Sequence, residues 1–227
     1  MSHLQMWMQL FRGSRGQTQR PLLILVAVLV IVGSLISIIR SKLPPSDKAA
    51  LTPFQALGEV AAAETVKLVG ETGKIVVWHP DTGSIEAPAL DVQIKAFTQA
   101  LKKHPGLMIV AVAKDPPDYA TRNILSVQCF LELLRKHHSV DAVVLFAGVP
   151  ELTGPEVQKI GEAHPKILSI ALLQPPARAL FDAGVLQTAI TTHGREIDRT
   201  HETPTHRADF DPFFMVVTAA TSGLLLH

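Results

Sequence analysis

The 227-residue sequence is poor in cysteine and shows almost no excess of charge of either sign. Its single cysteine, Cys129, excludes an internal disulfide framework and any CxxC metal or redox motif. Because Cys129 falls in an apolar helical pattern, we expect a small buried hydrophobe there. A formal net charge of +1 leaves neither a basic surplus for nucleic acid nor an acidic tail. We therefore predict no nucleic-acid partner.

The sequence also lacks the motifs of common catalytic and cofactor sites. In GETGKIVVWHPDTGS (residues 70–84) the GK dipeptide precedes the strand-like run, and Lys74 is not followed by Ser or Thr, which excludes a P-loop. The loop after this run has one glycine, Gly83, where a dinucleotide site needs GxGxxG. Gly70 and Gly73 are read as a turn that leads into the strand. HExxH and GxSxG are absent as well, so we predict no enzymatic activity and no cofactor.

Histidine is comparatively frequent, with 10 residues. The C-terminal tail groups several of them with aspartates: His193, His201, His206, Asp209 and Asp211. Their spacings match no compact metal-ligand motif, so we predict no metal site. His137 and His138 close a predicted helix, where a partial positive charge suits the helix dipole.

Apolar residues are concentrated near the N-terminus. The run from Pro21 to Ile39 carries no charge, is flanked by Arg20 and Arg40, and as a helix would be about 28 Å long, close to the hydrocarbon thickness of a bilayer. The run ends in IIRSKLPP rather than in a small-residue cleavage site, which favours an uncleaved anchor over a signal peptide. We therefore predict one transmembrane helix over residues 21–39, with both arginines at the headgroups.

Residues 1–20 precede this predicted helix. Four apolar side chains recur there at helical spacing and arginines follow them; the four are Leu4, Trp7, Met8 and Phe11. This pattern is typical of an amphipathic helix in the membrane interface, in contact with lipid or with a neighbouring subunit. A disordered tail is the alternative. Close to the anchor, lysines and arginines are equally numerous on its two sides, so charge alone does not orient it.

The remainder of the chain is predicted to be a linker (residues 40–52) and an α/β domain (residues 53–227) with an irregular tail from about residue 193. Strand-like runs occupy residues 74–78, 107–113, 141–147, 167–172 and 185–190, and a further strand, which we expect at the sheet edge, covers 212–218. Most are continuous apolar runs, as expected of strands covered on both faces. Helical patterns alternate with them, which predicts a three-layer α/β/α domain with a mainly parallel sheet of five or six strands.

Two of the predicted helices have clear boundaries. Thr153 is placed as an N-cap, with Pro155 in the first turn and Glu156 completing a capping box. Gly184 is a natural C-cap for the last helix.

Polar and aromatic residues follow the first two strands, where the carboxyl edge of an open parallel sheet binds ligands. We select four of them as candidate contacts to a small polar solute: Trp78, Asp81, Asp115 and Arg122. The alternative is that these residues belong to solvated loops in which Asp and Pro form turns.

The order of elements resembles one lobe of the type I periplasmic binding proteins, the sugar-binding family. The segment QCFLELLRKHHSVDAVVLFAGVPELTGPEVQKIGEAHPKILSIALL carries most of this resemblance, and residues 140–145 and 167–172 look like two strands of that lobe. Flavodoxin-like domains share much of the same order. The resemblance implies a periplasmic α/β domain and a cytoplasmic N-terminus. Family members close two lobes around a solute, whereas this chain has about one lobe, and the family's strand-terminal aspartate is replaced by Leu173 and Gln174.

These observations support two hypotheses. The first is a non-catalytic accessory or scaffolding subunit of a larger membrane complex, because catalytic motifs are absent, the lobe is solitary and the N-terminal segment is amphipathic. The alternative is a membrane-tethered solute-binding or sensor domain of periplasmic-binding-protein type.

Overall fold

The computed structural model describes residues 46–83, 86–115, 125–172, 178–193, 205 and 207–224. The chain divides into two units after Ala49, and the second, Ala50–His227, contains the whole described sheet. The predicted membrane helix (residues 21–39) and the segment before it lie outside the described residues, so both stay predictions. None of the helices in the described part combines the length and apolarity that a bilayer crossing requires.

Helices and strands alternate along most of the described chain. The elements are α1 Ser46–Val69, β1 Gly73–Pro80, α2 Pro88–Leu101, β2 Leu107–Asp115, α3 Val127–Lys136, β3 Ala142–Leu145, α4 Gly154–Ile160, β4 Lys166–Ala171, α5 Arg178–Asp182, β5 Thr188–Thr192, β6 Phe214–Thr218 and a closing 3-10 helix, Ala219–Leu224.

The strands form one six-stranded sheet in the order β2-β1-β3-β4-β5-β6. β1 to β5 pair in parallel, and β6 pairs antiparallel to β5 at the sheet edge. The predicted α/β/α architecture with a mainly parallel sheet is therefore confirmed, including the edge position of the last strand. The chain leaves β1 toward β2 on one side and later returns to β3 on the other, so the topological switch point lies between β1 and β3.

Helices cover both faces of the sheet, which explains the continuous apolar runs of the inner strands. On β1, Val76 and Trp78 face one core cluster with α3 and α5, while Ile75 and Val77 face the other cluster with α1 and α2. A strand that alternates between two apolar cores must be apolar at every position. Cys129 of α3 is half-buried against the first cluster, less deeply than its sequence context predicts.

β2 departs from this pattern because it is the other edge strand. Its residues alternate between covered and exposed, and Met108, Val110 and Val112 are 54%, 47% and 54% exposed. The register with β1 shifts at Val110, which is skipped between the pairs Ile75–Ile109 and Val76–Ala111. This run is therefore an exception to the general expectation, since apolarity along a strand does not reveal whether both faces of that strand are covered.

Local signals place the helix ends well. The backbone N–H and hydroxyl of Thr153 both donate to the Glu156 carboxylate at 2.7 Å, which confirms the predicted capping box of α4. Gly184 follows α5 with φ +70°, and Gly70 follows α1 with φ +98°, a region that glycine adopts at low cost. Gly70 therefore ends a helix, and Gly73 begins β1.

α1 begins earlier than the sequence analysis expects. It starts at Ser46, inside the segment assigned to the linker, and continues through Pro53. The alanines and leucine that precede Pro53 are strong helix formers, whereas Pro53, the eighth residue of the helix, has no N–H to donate to the carbonyl four residues earlier. At Gly58, α1 packs directly on α2: a Cβ there would lie 2.2 Å from the Gln93 carbonyl oxygen.

The described part of the predicted irregular tail is organised around Asp211. Its carboxylate accepts hydrogen bonds from the backbone N–H and hydroxyl of Thr205 and from the backbone N–H of Arg207. Arg207 forms an ion pair with Glu59 of α1, which fixes this segment beside that helix. Nearby Phe210 is fully buried in the core cluster shared with α1.

Candidate functional site

The candidate site is the carboxyl edge of the sheet at the switch point between β1 and β3. The two strands stay in register to their ends, with Trp78 beside Leu145, and the Phe146 N–H then donates to the Trp78 carbonyl at 2.8 Å. Beyond this point the chains diverge, β1 into the loop before α2 and β3 into the loop before α4. In open α/β sheets such a divergence forms the ligand crevice.

Trp78 and Asp115, two of the predicted contacts, meet at this edge. The Trp78 indole Nε1–H donates to Asp115 Oδ2 at 2.7 Å, although the two residues belong to different strands. The Trp78 ring is 0% exposed, whereas the aspartate is half-buried. The hydrogen bond satisfies an indole donor that burial would otherwise leave without an acceptor. Trp78 thus lies below the surface, and Asp115 closes over it.

Asp81 lies beside this pair. Its backbone N–H donates to the Asp115 carbonyl at 2.8 Å, and its carboxylate accepts the Gly83 N–H at 3.1 Å. The side chain is exposed, so one carboxylate oxygen is held by the turn while the group still faces solvent. Arg122 lies outside the described residues. The structure therefore gathers Trp78, Asp81 and Asp115 at one edge, and their contact with a solute stays a prediction.

Two further polar side chains stand beside them. Lys114 is exposed at the end of β2 and lies in register with His79 of β1. His79 is half-buried, and its Nδ1 lies 3.0 Å from the Pro80 carbonyl oxygen. Since a carbonyl only accepts, Nδ1 carries the proton and Nε2 is the acceptor of the neutral ring. The edge thus offers a carboxylate, an ammonium and an imidazole.

Buried hydroxyls fix the carboxyl ends of the neighbouring strands, and sequence reasoning missed them. Ser169 of β4 donates to the Ala147 carbonyl at 2.8 Å, and Thr191 of β5 donates to the Ala171 carbonyl at 2.9 Å. Each bond joins a strand to its neighbour: Ala147 follows the end of β3, and Ala171 is the last residue of β4. The signal was present as isolated hydroxyl residues inside apolar runs, where a buried hydroxyl needs a partner.

Two side chains on α4 and at the end of α3 have shifted pKa values. The backbone N–H of Thr153, followed by its hydroxyl, holds the pKa of Glu156 below its ordinary value. At the end of α3, burial and then the charge of Lys136 lower the pKa of His137. The expectation that a partial positive charge on His137 and His138 suits this helix end stays a prediction.

Among the described residues, no group of three or more His, Cys, Asp or Glu side chains is placed to hold a metal ion. His193 contacts the Asp211 carbonyl through Nε2 at 2.7 Å, whereas His201 and His206 lie outside the described residues.

The predicted membrane contacts all lie outside the described residues and stay predictions; they are Leu4, Trp7, Met8, Phe11, Arg20 and Arg40.

Comparison with known proteins gives a fold and no sequence family. No family model matches the chain, and no curated protein matches its sequence. AraP, an arabinose binding protein from Geobacillus stearothermophilus, matches with a TM-score of 0.51 and 17% identity over 77% of this chain and 63% of that protein. A sugar-binding protein of a sugar ABC transporter from Bacillus halodurans gives 0.51 and 16% over 74% and 63%.

A solute binding protein from Burkholderia graminis, solved with D-arabinose, has a TM-score of 0.45 and 19% identity over 60% of this chain and 46% of its own. The chain thus spans less than two thirds of the length of each of these proteins. The predicted resemblance is confirmed at the level of fold: the α/β domain has the fold of a lobe of the type I periplasmic binding proteins.

Proposed function

We propose that this protein is a membrane-tethered solute-binding or sensor domain of periplasmic-binding-protein type, with a small polar solute, such as a sugar, as its ligand. The observation that carries the proposal is the carboxyl edge of β1 and β2, next to the switch point, where Asp81 and Lys114 are both exposed at the ends of adjacent strands. A carboxylate accepts hydrogen bonds from sugar hydroxyls and an ammonium donates to them, so the pair can orient a polyol.

Buried bonds support this edge as a preorganised surface. Trp78 and Asp115 join β1 to β2 beneath Asp81, and the Asp81 N–H is bound to the Asp115 carbonyl. Groups whose backbone is already fixed lose little conformational freedom when a ligand binds. In this proposal Asp115 is a positioning residue and Asp81 and Lys114 touch the solute. In this proposal the lobe presents one wall of a binding cleft.

A ligand screen tests the proposal. The full-length protein in mild detergent is heated with a panel of pentoses, hexoses, amino acids and nucleosides. A ligand at about 100 times its Kd stabilises the folded state by about 2.7 kcal/mol, which raises the unfolding temperature by roughly 5–10 °C for a domain of this size. Failure of every panel member to shift the transition would defeat solute binding by the lone chain.

Variants then locate the site. Asp81→Ala and Lys114→Ala should each weaken the binding of a solute found in the screen by about tenfold or more. Glu71→Ala removes an exposed carboxylate just before β1, at the opposite edge of the sheet, and serves as the matched control. Equal affinities for all three variants would place the solute elsewhere.

Membrane attachment and orientation form part of the same proposal and rest on residues 21–39 and on the fold. We expect the full-length protein to resist carbonate extraction, and the α/β domain to be cleaved by protease added to intact spheroplasts. Release of the intact protein into the soluble fraction would contradict the anchor. Protection of the domain from protease would contradict the periplasmic orientation.

An accessory subunit of a membrane complex is the second candidate function. It is favoured by the exposed apolar side chains of β2, because Met108, Val110 and Val112 lie on an edge strand whose outer backbone groups have no strand partner among the described residues. Exposed apolar edges commonly mark protein contacts. Purification from native membrane in mild detergent, followed by mass spectrometry, should then reveal a stoichiometric partner. A monodisperse monomer would defeat this candidate.

A further inference from the structure

A groove separates α3 and α4 on the helical face of the domain, away from the carboxyl-edge site. Both helices connect parallel strands, so both run from the carboxyl edge toward the amino edge of the sheet. The groove follows α3 from Gln128 to its end and the C-terminal turn of α4, and has a volume of about 650 Å³. Its lining residues come from α3, from α4 and from the segment that leads into β4.

The floor of the groove is apolar and only partly covered. α3 buries Phe130, Leu133 and Leu134, and Leu131, at the flank of this buried face, is half-buried in the groove. Ile160, at the end of α4, is half-buried there as well. Two half-covered aliphatic side chains between two helices form the kind of floor on which an amphipathic helix packs.

The rim is predominantly basic. Arg135 and Lys159 are exposed on opposite sides of the groove, and no ion pair within the described ranges includes either residue. The acidic residue one turn before Lys159 is Glu156, whose carboxylate accepts two hydrogen bonds from Thr153 and also interacts electrostatically with Lys159. Glu132 is the one carboxylate among the lining residues.

Two histidines add donors to this rim. Nδ1 of His138 contacts the Arg135 carbonyl oxygen at 3.1 Å, and Nδ1 of His164 contacts the Pro165 carbonyl oxygen at 2.7 Å. Each Nδ1 therefore carries a proton, and each Nε2 is left for another partner.

We propose that this groove docks an acidic amphipathic helix from a partner protein. The apolar face of that helix would cover Leu131 and Ile160, and its carboxylates would pair with Arg135 and Lys159 across the groove. Basic residues in a last turn also stabilise their own helix, but that role does not account for the half-covered floor between them. The groove is open to solvent, which suits a peptide better than a small solute, because binding sites bury a small solute almost completely.

Fluorescence anisotropy with two synthetic peptides tests the proposal. One peptide carries leucines at helical spacing with glutamates on its other faces, and the other has lysine at every glutamate position. Full-length protein in mild detergent should bind the acidic peptide at least tenfold more tightly than the basic one, and added salt should weaken the binding. Equal binding of both peptides would overturn the proposal.

Charge reversal locates the contact. Arg135→Glu combined with Lys159→Glu should lower the affinity for the acidic peptide by tenfold or more and raise the affinity for the basic peptide. The matched control combines Lys102→Glu with Lys103→Glu, an exposed pair that follows α2 on the other face of the sheet, and should leave both affinities unchanged. If the charge-reversed variant unfolds, the double variant Arg135→Gln with Lys159→Gln is measured instead, with the same comparison of affinities for the two peptides. Unchanged peptide binding by a folded variant would overturn the proposal. The proposal would also be overturned if the unmodified protein self-associates and the charge-reversed variant does not, because the groove would then bind a second copy of this chain.

Discussion

The hydrogen bond between Trp78 and Asp115 is the contact whose removal should affect the candidate site most. The indole donor is 0% exposed and lies 2.7 Å from a carboxylate oxygen on the neighbouring strand. A hydrogen bond to a charged group contributes about 1.5–3 kcal/mol, and a buried donor left without an acceptor costs about 1–3 kcal/mol. We therefore expect Asp115→Ala to lower the free energy of unfolding by about 2 kcal/mol.

Urea denaturation of the full-length protein in detergent measures this loss, and heating gives a second readout. For a domain of this size about 2 kcal/mol corresponds to a fall of roughly 4–8 °C in the unfolding temperature. Asp81→Ala is the control, since Asp81 lies at the same edge but is exposed, and it should cost less than about 1 kcal/mol.

A double-mutant cycle isolates the bond itself. Trp78→Phe removes the indole donor together with part of the ring, so its own cost includes a cavity. When it is combined with Asp115→Ala, the two losses should overlap by about 1–2 kcal/mol, because the bond can be lost only once. Strictly additive losses, or an Asp115→Ala variant no less stable than Asp81→Ala, would refute the assignment of Asp115 as the partner that holds the buried tryptophan.

Three further predictions concern single residues. Glu156→Ala should lower the urea midpoint, and because the folded-state pKa is depressed, the deficit should be full above the ordinary value of 4.5 and vanish as pH falls through the folded value; a deficit that persists in acid would contradict it. In an NMR titration His137 should have a pKa below 6.5, and Lys136→Gln should raise it; a pKa at or above 6.5 would be inconsistent with burial. Gly58→Ala should destabilise by about 1–3 kcal/mol through its clash with α2, whereas Gly154→Ala, with nothing within 4 Å, should not; equal urea midpoints would count against the close helix contact.

Local signals account for much of what could be predicted. The capping box at Thr153 and Glu156 involves residues three positions apart, and Gly184 acts through its own backbone, so neither depends on distant parts of the chain. The apolar runs predicted every described strand, although β5 begins at Thr188 rather than at Val185. The Val185 N–H bonds to the Leu180 carbonyl in the turn after α5, a tertiary detail that apolarity does not encode.

The candidate site was predictable only in its location. That Asp81 and Asp115 meet at one sheet edge follows from parallel strands, whose carboxyl ends coincide. The burial of Trp78 was not foreseen, because its place at the end of a strand, before polar residues, is equally compatible with an exposed ring. Its bond to Asp115 depends on the register of β1 against β2, which includes the shift at Val110.

The sequence by itself determined the alternation of helices and strands, the helix caps and the apolar identity of the core, because each rests on neighbours within a few positions along the chain. The tertiary structure alone decided the strand order, the exposure of β2 and the union of Trp78 with Asp115. It also decided that Arg135 and Lys159 face each other across a groove. These features depend on which strands and helices become neighbours, and that choice is made by packing among residues far apart in sequence.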